Sequence, residues 1–340
     1  MIKMSKPLIS KEEIDSVNNE LINANLSFGD NVDKFEKLWS SRNYKKYGVS
    51  CNSGTNALFI ALKAIGAGPG WEIIVPEFTM IATAWAVSYT GAKPVFVDCL
   101  DDLTIDPDKI SINKKTLAII PTVIYGRKCS QKVYDIANDK GIYIIEDMAE
   151  GHGISPRGDI SCYSFYGNKI ITTGEGGMCI TNSKIWADEM RSLSNMYFDK
   201  DRTMIHPKIG FNFRMTNIQA TIGIKQVEKL DYILSERNRV TKLYNKLLPK
   251  EILMPKREVT WVYDINPKTP STLKDLLSNK GVESRWFFRA MSEQPMYFNE
   301  KFSETNAYKW SKNGLCLPCY PELTDDEVKF IADIVCNYFV

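Results

Sequence analysis

Lys169 sits in the run Ser164-Phe165-Tyr166-Gly167-Asn168-Lys169, and Thr172-Thr173-Gly174-Glu175-Gly176-Gly177 follows it. An amine held among apolar and small residues loses its proton more easily than a solvated one and can condense with an aldehyde as a Schiff base. Most lysines are surface charges, so the assignment depends on whether other groups fit the same chemistry. Cys51-Asn52-Ser53-Gly54-Thr55-Asn56 precedes a helical pattern carried by Leu58, Leu62 and Ile65. Backbone N–H groups at such a helix start form a phosphate seat, although Ser-Gly-Thr is also an ordinary N-cap. Ile144-Ile145-Glu146-Asp147 ends an apolar run in two carboxylates. Neighbours on a strand point to opposite faces, so the two do not form a dyad, and one of them faces a pocket. There it meets a cationic partner such as a protonated pyridine nitrogen, or else it serves in a salt bridge or a loop cap. His152 and His206 are the two histidines, which excludes a multi-histidine metal site, and no Gly-x-Ser-x-Gly elbow is present. His152 either packs near a ligand or is a structural imidazole.

An alternation of strand and helix patterns would hold these groups in place. Apolar runs at 72–75, 94–97, 117–121 and 142–145 predict buried strands, separated by helix-length segments such as 56–65 and 131–139. That rhythm predicts an α/β fold with a mainly parallel sheet covered by helices, in which ligands bind beyond the carboxyl ends of the strands. The rhythm changes after Val227, Leu230 and Leu234, placing a boundary near 232. A large domain over 1–232 would precede a smaller α/β domain over 233–340, with mixed strands near 261–265 and a terminal helix over 325–339.

At 340 residues and 44% hydrophobic, the chain can bury a core of two-domain size. Its 43 basic and 41 acidic residues leave a net charge of +2, so neither nucleic acid nor an anionic membrane is an expected partner. The first residues lack the apolar stretch of a signal peptide, and the most apolar window, 73–89, is interrupted by Pro76 and Glu77. A soluble cytoplasmic protein is expected. Its eight scattered cysteines read as buried reduced thiols. Cys316-Leu317-Pro318-Cys319 has redox or half-zinc spacing, but no second pair or nearby histidine supports a metal.

Taken in order, Ser53-Gly54-Thr55, Glu146-Asp147-x-Ala149-Glu150-x-His152-Gly153, the Lys169 run and Gly210-Phe211-Asn212-Phe213-Arg214-Met215 resemble the DegT/StrS family of nucleotide-sugar aminotransferases. The likeness runs from about Pro7 to the Leu317-Pro318-x-x-Pro321-x-Leu323 segment. Phe-Tyr-Gly-Asn-Lys and Asn212-Phe213-Arg214-Met215-Thr216-Asn217 look most like the perosamine-synthase branch, which aminates C4 of a GDP-linked 4-keto-6-deoxy sugar.

The resemblance implies the pyridoxal-phosphate fold type I of aspartate aminotransferase. Lys169 would bind the cofactor aldehyde, and Asp147 would keep its pyridine nitrogen protonated. Ser53, Gly54, Thr55 and Ser164 would hold its phosphate, with Asn212 reaching over from the neighbouring subunit of a homodimer. Glu150 would stand near the phenolic oxygen. L-glutamate is the implied donor and a nucleotide-diphosphate 4-ketosugar the acceptor, with pyridoxamine phosphate between the two halves. Related sugar dehydratases carry histidine at the Lys169 position, so a lysine favours transamination. A non-catalytic sensor of cofactor or ketosugar is the competing class.

Some positions depart from the family pattern. Met80 stands where an aromatic residue commonly stacks on the ring, and a thioether can still cover a ring face. His-Leu-Tyr-Gly becomes Val123-Ile124-Tyr125-Gly126, and the small-domain loop ending at Ser292 lacks its usual histidine. The segment between His152 and Ser164 is also short. Candidate substrate contacts are Tyr125, Arg285, Trp286, Phe288 and Arg289, because guanidinium suits phosphate and aromatic faces suit bases. An exposed loop packed on the small domain is the other reading of the last four. GDP-, dTDP- and UDP-linked sugars all remain open.

Overall fold

A computed structural model describes residues 1–199, 201, 203–267, 269–300 and 304–339. Seven strands form the main sheet: β1 (Tyr47–Cys51), β2 (Glu72–Pro76), β3 (Lys93–Val97), β4 (Thr116–Ile119), β5 (Tyr143–Asp147), β6 (Ile160–Ser164) and β7 (Gly177–Thr181). Their order is β1-β7-β6-β5-β4-β2-β3. Within it β7 runs antiparallel to β1 and β6, while the remaining neighbours pair in parallel. The predicted strands are all present, each within a few residues of its expected ends.

Alternate residues of these strands enter different cores, as two-sided burial requires. Ile73, Val75, Ile145, Cys162 and Cys179 pack with the helices Gly54–Ala64, Ile81–Tyr89 and Lys184–Ser194. Ile74, Ile119 and Ile144 pack with Gln131–Lys140, and Tyr163, Met178 and Ile180 with Phe35 and Trp39 of Asp30–Arg42. The expectation of a sheet covered on both faces is met.

Residue 232 falls within the helix Leu230–Leu247, which runs on without a break. Beyond it a three-stranded antiparallel sheet, in the order β8 (Tyr263–Ile265), β10 (Leu315–Leu317), β9 (Arg285–Trp286), packs with the helices Pro270–Asn279 and Asp325–Tyr338. The amino terminus joins this unit, since Ile2 pairs with Val282 and donates to the Gly281 carbonyl at 2.7 Å.

All eight cysteines are free, and seven are buried. No described helix is long and apolar enough to cross a membrane. Among the described residues no cluster of His, Cys, Asp or Glu is arranged to hold a metal.

Candidate active site

Strand polarity brings the candidate residues to one edge of the main sheet. Cys51, Asp147 and Ser164 end their strands there, and the antiparallel β7 begins there at Gly177, which pairs with both Cys51 and Ser164. Above this edge lies a cavity of about 370 Å³. Ser53, Gly54, Thr55, Met80, Asp147, Glu150, Ser164 and Lys169 all line it, as do Arg285 and Phe288 from beyond residue 232.

At one end the helix Gly54–Ala64 starts against the sheet. Ser53 caps it by accepting from the Asn56 N–H at 3.2 Å, leaving the Gly54 and Thr55 N–H groups among those with no intrahelical partner. The approach is too close for side chains. A Cβ on Gly54 would stand 2.6 Å from the Ser164 Cβ, and one on Gly177 would stand 2.2 Å from the Ser53 carbonyl oxygen. Glycine at these two positions therefore sets the distance between the helix N-terminus and the Ser164 hydroxyl.

The other end carries the ionisable groups. Asp147 is buried, accepting from the Thr83 hydroxyl at 2.7 Å and from the Ala149 N–H at 3.1 Å. Burial raises its pKa, with the two hydrogen bonds and the Lys169 charge acting the other way. Glu146 points through the sheet instead, accepting from the hydroxyls of Tyr134 and Ser161, both at 2.6 Å. The two carboxylates thus separate as strand geometry demands, and Asp147 takes the cavity side.

Lys169 is buried, its Nζ 4.0 Å from the centroid of the Trp261 ring and 3.9 Å from Glu150. Burial lowers its proton affinity, and the Glu150 and Asp147 charges partly restore it. Glu150 in turn has its pKa raised by burial, against the opposing charge of Lys169. Its second oxygen accepts from the Tyr125 N–H at 2.6 Å, across a turn in which Tyr125 has φ of 48°. The Trp261 indole is fixed by donating to the Asn168 carbonyl at 2.7 Å, so the wall over the lysine is bonded to the residue beside it.

The remaining candidates divide. Arg285 and Phe288 line the cavity, and the Arg285 guanidinium lies over the rings of Trp261 and Phe288. Trp286 turns into the core of the C-terminal unit, and Arg289 is exposed, paired with Glu293 and the Ser311 carbonyl. Tyr125 is fully buried behind the wall, where its hydroxyl accepts from the Phe288 N–H at 3.0 Å. Asn212 is exposed and away from this chain's cavity, bridging to Asn195. Met80 stands half-exposed at the rim. His152 lies outside the cavity among Trp39, Tyr163 and Phe165, and burial pushes its pKa down to about 3. Cys316 and Cys319 are buried thiols with no second pair beside them.

Sequence reasoning missed Trp261, which lines the cavity, and Thr83, which lies behind it and orients Asp147. Trp261 lies two residues before the short strand β8 and has no distinguishing neighbours. Thr83 follows Thr79 at helical i,i+4 spacing, and their hydroxyls stand 3.0 Å apart, a pattern that could have flagged a hydroxyl pair aimed at a carboxylate.

A family model described as the DegT/DnrJ/EryC1/StrS aminotransferase family matches residues 7–336. GDP-perosamine synthase of Escherichia coli O157:H7 is 32% identical, covering 99% of this chain and 98% of that protein. GDP-perosamine synthase of Caulobacter vibrioides is 37% identical over 89% of this chain and 88% of its own. Among solved structures, NtdA of Bacillus subtilis with bound cofactor PMP has a TM-score of 0.86 at 26% identity, covering 97% of this chain and 83% of that one. With a cavity that joins a helix N-terminus, a buried aspartate and a desolvated lysine, the chain belongs to the DegT/DnrJ/EryC1/StrS aminotransferase family.

Proposed function

We propose that this chain is a pyridoxal-phosphate-dependent sugar aminotransferase that moves an amino group from L-glutamate to C4 of a nucleotide-linked 4-keto-6-deoxyhexose. The product would be of the perosamine or viosamine type, destined for surface glycans. The observation that carries this reading is the single cavity shared by Lys169, Asp147 and the Gly54–Ser164 contact.

The residues fit the cofactor at three points. The N–H groups at Gly54 and Thr55, with the hydroxyls of Ser53 and Ser164, suit a phosphate dianion. Asp147 suits a protonated ring nitrogen, because a buried carboxylate without a cation is costly. Lys169 suits the aldehyde. Bound pyridoxal phosphate supplies an electrophilic carbon and a protonated ring that accepts electrons.

The protein does the rest. Asp147, oriented by the Thr83 hydroxyl and the Ala149 N–H, holds the proton on the ring nitrogen. Lys169, as a free amine, would be a base whose burial against Trp261 keeps its proton affinity low. Its Nζ would take the proton from the donor's alpha carbon and hold it for return. In the sugar half it would serve as the acid and base for the opposite transfer. Met80 covers the rim of the ring site. Asn212, exposed on its own chain, would reach the phosphate site of a second subunit in a homodimer.

Purified protein loaded with pyridoxal phosphate should be yellow; borohydride should bleach the colour and leave the cofactor bound covalently at Lys169, and L-glutamate should discharge the colour without such attachment. GDP-, dTDP- and UDP-linked 4-keto-6-deoxyhexoses, added in turn to the glutamate-treated protein, should include one that restores the colour. Protein that stays colourless with added cofactor would defeat the enzyme reading. Discharge by glutamate without turnover on any ketosugar would favour a sensor.

A further inference from the structure

Lys169 ends on an aromatic face rather than in an aliphatic pocket. Its Nζ lies 4.0 Å from the centroid of the Trp261 ring, and both side chains are buried. Trp261 comes from beyond the helix Leu230–Leu247, so this wall belongs to a different part of the chain than the sheet edge that carries Asp147 and Ser164. The ring is fixed relative to the amine. Its Nε1–H donates to the carbonyl of Asn168 at 2.7 Å, one residue before the lysine, and the Phe288 ring stacks with it 27° from parallel.

Glu150 is tied into the same arrangement. One of its oxygens lies 3.9 Å from Nζ, and the other accepts from the N–H of Tyr125, whose ring lies 6.2 Å from that of Trp261. An anion and a ring face are therefore held at fixed distances from one amine. The other groups that act on Nζ divide by sign. Asp147 favours the ammonium with Glu150, Arg285, 4.6 Å from the same indole centroid, opposes it, and His152 is buried in its neutral form.

Burial alone favours the neutral amine, which can take a proton but holds it poorly. An aliphatic side chain at 261 would bury Nζ and offer it nothing more. The face of an indole is negative, and it attracts an ammonium most strongly where water is excluded. We propose that Trp261 is a positioning residue for proton transfer, its indole face holding the Lys169 ammonium between uptake of a proton from the donor and its return. The C–H bond that breaks leaves its electron pair on the carbon side and its proton on Nζ, and the C–H bond that forms takes that proton back. The proposal rests on the transaminase reading above, because it needs Lys169 to be the amine that meets the aldehyde.

The test reads the Lys169 amine in the full-length protein freed of cofactor. Pyridoxal, the aldehyde without its phosphate, condenses with the neutral amine, so the rate at which its visible band forms traces the neutral fraction of Lys169 against pH. Borohydride followed by peptide mapping ties the band to Lys169, and the titrations of pyridoxal itself are common to every variant. Trp261→Leu should move the midpoint of the rate profile down by about 0.5–1 pH unit, and Trp261→Phe, which keeps a weaker face, by about half as much. Below both midpoints the Leu variant should therefore react roughly 3–10-fold faster than wild type. A ring that only filled space would give the opposite sign, because a smaller side chain admits water and water favours the ammonium. An unchanged or raised midpoint in either variant would overturn the inference, as would equal shifts in the two. If Trp261→Leu fails to fold by circular dichroism, Trp261→Phe decides alone through the same downward shift. Wild-type protein that forms no band, or a band that maps elsewhere than Lys169, would instead defeat the transaminase reading itself.

Discussion

Asp264 is the residue whose loss should cost this protein most outside the cavity. Its carboxylate lies 2.8 Å from Arg127 and 2.5 Å from Arg257, and all three side chains are almost wholly removed from water. One negative charge therefore balances two positive ones, each tied to the chain beside it. Arg127 donates to the Pro255 carbonyl at 3.0 and 2.8 Å, and Arg257 to the Val262 carbonyl at 3.1 Å. Asp264→Asn keeps the volume and removes the charge, leaving two buried guanidiniums facing each other. Breaking a buried pair costs about 3–5 kcal/mol, and the second cation places this case at the upper end. Against a total stability of about 5–15 kcal/mol, the melting midpoint of the apoprotein should fall by roughly 6–10 °C. Scanning calorimetry on the apoprotein measures this directly. The triple variant Asp264→Leu, Arg127→Met, Arg257→Met removes all three charges and should recover most of the loss, because the apolar replacement of a buried network is often close to neutral. An Asp264→Asn protein melting within about 2 °C of wild type would show that the triad is hydrated or dispensable, and would refute this reasoning.

Three further outcomes are expected. Gly54→Ala pushes a Cβ to 2.6 Å from Ser164, so the helix N-terminus must withdraw; cofactor titration should show weaker binding by at least roughly tenfold with unchanged circular dichroism. Burial raises the Glu77 pKa from 4.5 to about 7, so the folded form holds a proton there that the unfolded chain releases, and this group's contribution falls as pH rises from 4.5 to 7. Glu77→Gln should remove that slope, worth up to about 3 kcal/mol, as read from denaturant midpoints at pH 5 and 8. His152 acts oppositely: its pKa drops from 6.5 to about 3, so stability is present above 6.5 and is lost on acidification. His152→Phe should flatten that loss, about 2 kcal/mol by pH 5, and an unchanged acid slope would exclude His152 as its source.

Much of the main sheet was legible because its strands are buried on both faces and so read as unbroken apolar runs. Ile73-Ile74-Val75 and Ile144-Ile145 could hardly be anything else. Lys169, Asp147 and Gly54 were legible for a related reason, since each terminates or follows such a run, where ligands of parallel sheets bind. Arg285 and Trp286 were not separable, because β9 is two residues long and a strand of that length gives no periodicity from which to tell inward from outward. Tyr125 misled differently. It lies in the turn after β4, where a pocket contact is expected, but its positive φ and its bond to Phe288 turn it into the support of the wall rather than its surface.

The same support explains how this chain holds its small-domain loop without the family's usual histidine. Glu77 follows β2 at the cavity edge of the sheet and accepts from the Ser292 N–H at 2.8 Å, while its own carbonyl accepts from the Met291 N–H at 2.9 Å. Both are backbone donors, so the main chain anchors the loop, and the Ser292 hydroxyl adds a bond to the same carboxylate. What the histidine would have offered is a polar side chain at the cavity, and Ser292 is buried instead. Arg285 is the charged candidate from the 285–292 segment that lines the cavity. A loop anchored through its main chain at Glu77 tolerates change at the exposed Arg289 far better than at 77. Saturation mutagenesis at 77 and 289, scored by glutamate discharge, should show far greater sensitivity at 77, and equal sensitivity at the two would contradict it.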